Sequence, residues 1–74
     1  MSDIKNKLRE AFSHFTHCER VIDAYDVVLD DIDDWAGDDW EMIKRRLRDM
    51  RVDVVEERDR LDGIVQELSK QVRT

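Results

Sequence analysis

The stretch Asp31-Ile32-Asp33-Asp34-Trp35-Ala36-Gly37-Asp38-Asp39-Trp40-Glu41 separates two long apolar ladders, and its reading decides the fold. Gly37 stands where a helix C-terminus takes a left-handed residue. Asp38, with Glu41 three positions later, has the form of a helix N-cap backed by a reciprocal acid. Stop and start signals this close leave a tight turn. The sequence predicts one domain over 1–74: helix 1 about 3–36, capped by Ser2 or Asp3, a turn at 37–38, and helix 2 about 39–71, folded back antiparallel. Each helix would be about 50 Å long at a rise of 1.5 Å per residue.

Outward from the turn, apolar residues recur at alternating spacings of three and four. Leu8, Ala11, Phe15, Cys18, Ile22, Tyr25, Leu29, Ile32 and Ala36 form the first ladder. Trp40, Ile43, Leu47, Met50, Val54, Glu57, Leu61, Ile64 and Leu68 form the second. Such a period puts one apolar seam on each helix. The seams are wide: Val21, Val28 and Trp35 flank the first at one edge and Phe12 at the other, while Val65 and Val72 flank the second. A lone hairpin cannot cover stripes this broad, whereas four helices can. The expected fold is all-α, an antiparallel hairpin pairing as a homodimeric four-helix bundle. Gly63 interrupts the second helix, and because the ladder keeps its phase there, the expectation is a close backbone approach.

Composition supports this reading. The chain has 74 residues, no proline, two glycines and one cysteine, so no internal disulfide can form. A chain this short has a thin stability margin unless self-association, metal or disulfides add to it. Cys18 on the seam reads as a small buried hydrophobe. Without a cysteine framework, signal peptide or long apolar run, the expected compartment is the cytoplasm, with no membrane contact. Charged residues make up 43% of the chain, but 41% hydrophobic residues in register favour folding over disorder. The net charge of -6 disfavours phosphate-backbone binding.

Charge is unevenly distributed. From Val21 to Ile43 there is no lysine or arginine but nine acids: Asp23, Asp26, Asp30, Asp31, Asp33, Asp34, Asp38, Asp39 and Glu41. Lys5, Lys7, Arg9, Lys70 and Arg73 lie at the opposite end. Antiparallel docking of two hairpins would set each acidic pole beside the other copy's basic termini. Asp23, Asp26, Asp30 and Asp33 fall on one helical stripe. With Asp34, Trp35, Asp38 and Trp40 they form the candidate surface for a protein partner with a basic face. The plainer alternative is a solvated face; a DNA mimic is a third.

Other groupings have simpler readings. An EF-hand loop starting at Asp30 would find Asp34, Asp38 and Glu41 in place, but Ile32 cannot ligate and Trp35 cannot supply the glycine turn. His14, Cys18 and Glu57 could be drawn as a metal site, yet the paired Glu-x-x-His motifs of di-iron bundles are missing; neither metal nor cofactor is expected. Glu57 is the one charge on the ladder. It needs a partner such as His14, Tyr25 or an arginine, and it is the candidate residue for fixing dimer register. No nucleophile–base pair or glycine-rich phosphate loop argues for an enzyme.

Lys44, Arg45, Arg48 and Arg51 make the only basic concentration, with Asp49 and Asp53 nearby as ion-pair partners. The architecture as a whole resembles that of Rop, the plasmid RNA-binding family of antiparallel hairpin dimers. That resemblance implies, as the alternative function, RNA or DNA binding through this face. Trp35-Ala36-Gly37 is also similar to the Trp-x-Gly turn of the small type VII secretion substrates. The segment Lys70-Gln71-Val72-Arg73-Thr74 departs from that family's Tyr-x-x-x-Asp/Glu signal, so no function is carried over. The expectation is a noncatalytic dimeric adaptor or inhibitor acting through its acidic turn end.

Overall fold

The computed structural model describes residues 3–73, with side chains to Val72. It contains two helices, α1 (Asp3–Asp31) and α2 (Asp38–Arg73), packed against each other along an elongated body of 56 × 15 × 14 Å. At 1.5 Å per residue, α2 alone spans nearly the whole long axis. A six-residue link therefore leaves only an antiparallel hairpin. Ser2 lies outside the described residues, and Asp3 opens α1 with an acid in its first turn.

Helix α1 ends at Asp31, five residues short of the expected boundary at 36. The cause is local. Asp30, Asp31, Asp33 and Asp34 are poor helix formers, and their charges face the negative end of the helix dipole with no basic residue in the last turn. The chain unwinds through shorter bonds: Ile32 N–H still reaches Val28 O (3.0 Å), but Asp33 N–H reaches Asp30 O (3.3 Å) and Trp35 N–H reaches Ile32 O (3.0 Å). Ile32 is thereby buried between the helices.

Gly37 serves α2 rather than α1. Its φ of 128° is one that L side chains rarely adopt. Its carbonyl accepts the Glu41 N–H (2.9 Å), the first bond of α2. Asp38 is thus the first helical residue instead of the cap, and Asp38, Asp39 and Glu41 place three acids where the dipole favours them. Around Gly63, α2 is continuous, and a Cβ built there meets nothing within 4 Å. The close approach expected at Gly63 does not occur within the hairpin.

The ladders are used unequally. On α1, Ala11, Cys18 and Ile22 are buried, and Leu8, Phe15, Tyr25 and Leu29 half-buried. On α2, only alternate rungs turn inward: Leu61 is buried, and Leu47, Val54 and Leu68 half-buried. The intervening rungs Ile43, Met50 and Ile64 remain exposed. Among the described residues no large side chain is completely shielded. The two sides of the hairpin also differ. Asp26 reaches across to Arg51 on one side (Oδ1 to Nε, 2.7 Å). Val28, two residues on and hence about 200° around α1, belongs to the other side, which is apolar.

Candidate functional site: the acidic turn end

The turn end is organised by a lysine. Lys44 is only 5% exposed, and its ammonium donates to the carbonyls of Asp33 (2.9 Å) and Trp35 (2.7 Å) and to Glu41 Oε1 (3.3 Å). The link between helices carries carbonyls that α1 no longer satisfies, and a charged donor is an effective partner for them. Two oxygens of the backbone and one carboxylate account for all three donors of the ammonium. Lys44 is therefore removed from the basic face to which its sequence neighbours assign it.

With the backbone held, Trp35 and Trp40 meet edge to face, their ring centroids 4.5 Å apart and their planes at 70°. Edge-to-face contact is a preferred aromatic geometry. Yet the rings stay 46% and 36% exposed. Exposed tryptophan in a fixed arrangement is the kind of group that anchors protein interfaces. The surrounding acids, Asp33, Asp34, Asp38 and Asp39, are all exposed. The pair and its acidic rim belong to the link between the helices and the first turn of α2.

The aspartate stripe does not extend as a straight rod. Asp23 and Asp30 are exposed on α1, but Asp26 is bridged to Arg51, and Asp33 lies beyond the helix end. The acidic surface is thus concentrated at the turn rather than drawn along the helix. In the candidate calcium loop, Ile32 is buried and Glu41 is engaged by Lys44. Among the described residues no three His, Cys, Asp or Glu side chains gather as a metal site. Cys18 is buried.

The alternative basic face is divided as well. Arg51 is held by Asp26 and Lys44 is buried, which leaves Arg45 and Arg48 exposed. Glu57 finds its partner on its own helix: Arg60 donates from Nε (3.2 Å) and makes a second short contact through Nη2. That hydrogen bond, with the charges of Arg60 and His14, holds the Glu57 carboxyl below its ordinary value despite some desolvation. The i, i+3 spacing of Glu57 and Arg60 was the available signal. Lys44 also had one: it follows Trp40 by four residues and precedes Leu47 by three, at the edge of the seam.

Compared with known proteins, the chain matches no family model, and no curated protein or solved structure is significantly similar to it. Among the described residues no helix is long and apolar enough to cross a membrane.

Proposed function

We propose that this chain is a small noncatalytic binding protein that holds a basic protein partner against its acidic turn end, as an adaptor or inhibitor. The observation that carries the reading is the exposed Trp35–Trp40 pair, fixed by Lys44 and rimmed by carboxylates. The aromatic faces supply apolar contact area, and the carboxylates steer a positively charged partner toward them. Lys44 is spent on two backbone carbonyls and Glu41, so the exposed aspartates of the pole keep their negative charge toward solvent. The same reading includes pairing of two hairpins as a four-helix bundle. It is supported by the half-used α2 ladder.

The test is capture by the immobilised full chain, compared across variants. A basic protein retained in a salt-sensitive manner, and lost with Trp40→Ala or with Asp34→Lys/Asp38→Lys, supports the reading. If retention survives those changes but is lost with Arg45→Glu/Arg48→Glu and is abolished by nuclease, the Rop-like nucleic-acid reading replaces it.

A further inference from the structure

The apolar side of the hairpin has a continuous groove. Val21, Ala24, Tyr25, Val28 and Leu47 line its centre with almost no polar surface. Leu47 carries it toward the turn, to Met42, Ile43 and Arg46. Val21 carries it the other way, to His17, Val54, Asp53 and Glu57. Two heptad columns bound it: Val21 and Val28 on α1, and Ile43, Met50 and Ile64 on α2. Val28, Ile43, Met50 and Ile64 are exposed, and Val21 is half-buried.

We infer that this groove is the seat of a second copy of the chain, docked antiparallel so that Arg46 of one copy faces Asp53 of the other. The inference rests on the pairing proposed above and adds the face and the direction. Three observations carry it. First, the hairpin exposes 6049 Å², whereas a globular monomer of its 8.9 kDa would expose about 4,800 Å². The excess, roughly 1,200 Å², exceeds the roughly 800 Å² per partner that a standard stable interface buries.

Second, Arg46 and Asp53 stand seven residues apart on one side of α2, and each lies beside the groove on an opposite arm. A two-fold axis between Asp49 and Met50 brings each arginine to the other copy's aspartate. Parallel docking would set arginine against arginine and aspartate against aspartate. Third, the antiparallel arrangement separates the two acidic turn ends by roughly 40 Å, twice their distance from the two-fold axis at 1.5 Å per residue. A parallel one would hold them together within a Debye length of about 8–10 Å.

Phe12 provides the contrast. It is 57% exposed and stacks on Phe15, with ring centroids 6.5 Å apart. It precedes Val21 by nine residues, two and a half turns, and so stands on the opposite side of α1. It is an equally apolar site that the inference leaves out of the interface.

The full chain is measured by light scattering during size exclusion, and its association constant by sedimentation. The wild type should show twice the 8.9 kDa chain mass. Val28→Lys/Met50→Lys should raise the dissociation constant more than about thirtyfold, the factor carried by the loss of one central contact. Phe12→Ser should leave it within a few-fold. Because the double variant can also fail to fold, direction is read separately by dipolar distance measurement. Spin labels are placed at Asp34→Cys in a Cys18→Ala background. A separation of roughly 40 Å is expected, twice the distance of about 20 Å from the turn to the two-fold axis at 1.5 Å per residue. A distance below half of that overturns the antiparallel arrangement. A dimer that survives Val28→Lys/Met50→Lys, or that is dissolved by Phe12→Ser, overturns the groove while leaving pairing intact. A monomeric wild type overturns both, and capture by the turn end is scored independently through Trp40→Ala.

Discussion

The turn end and the middle of this hairpin solve the same problem in opposite ways. At the turn, several groups find their partners within the chain. The carbonyls of Asp33 and Trp35 have Lys44, Gly37 adopts the φ the link demands, and each tryptophan has the other. Along the middle, the ladder of α2 turns one column inward and leaves the other in water. The difference teaches where single substitutions should be felt. A self-satisfied region has no slack, while an unfinished one has little to lose within the isolated hairpin.

The strongest way to break that contrast is to remove the turn's donor. Lys44→Met keeps the apolar stem but leaves both carbonyls without their charged partner, which should cost about 3 kcal/mol. Urea unfolding at fixed protein concentration measures it. A loss under about 0.5 kcal/mol, the scale of an exposed ion pair, would show that the turn is no tighter than the arms.

Gly37→Ala comes next. A Cβ at Gly37 would meet only Trp40 Cδ1, at an ordinary 3.9 Å, so space is not the obstacle. The backbone is: a φ of 128° in a non-glycine residue costs about 1–3 kcal/mol. A melting temperature equal to wild type would mean that the link relaxes to another conformation.

On the arm, the expected sign reverses. Gly63 is exposed inside a continuous helix with open space at its Cβ position, so Gly63→Ala should stabilise by about 1 kcal/mol. Destabilisation would reveal a close neighbour that only the assembled form brings there, and would sharpen the picture of the middle as incomplete.

The smallest effect belongs to Glu57. Its carboxyl is held below the ordinary value of 4.5, first by the hydrogen bond from Arg60. A depressed folded-state value means that the contribution is complete above pH 4.5 and disappears as the pH falls through the lowered value. Glu57→Gln should therefore lower the melting temperature slightly above pH 4.5 and converge with wild type in more acidic solution. A difference that persists at the acid end would assign the effect to packing.

These contrasts also show what the sequence made legible. Two helices, their ladders and the break between them follow from period and punctuation, because hydrophobic spacing is a local property. The position of the break did not, since Gly37 can close one helix or open the next. Which it does depends on how far the aspartates unwind α1. Lys44 was misread for a related reason. Within Lys44-Arg45-Arg46-Leu47-Arg48 it looks like one cation among several. Its burial depends on carbonyls that become free only after α1 has ended early. Glu57 was expected to need a partner and found one three residues away in Arg60, a pairing that the local spacing contained.

The lysine lock has a kinetic consequence. It joins groups only nine and eleven residues apart, and loops of about ten residues close in roughly 10–100 ns. The turn can therefore form before the arms meet, and each later contact adds to a loop already shortened. Chains that grow by such local steps have low contact order and fold fast. The hairpin should zip from Ile32 outward, with the Leu8 and Leu68 ends joining last. Amide exchange should then follow a gradient along the molecule, slowest beside the turn and fastest toward the Leu8 and Leu68 ends.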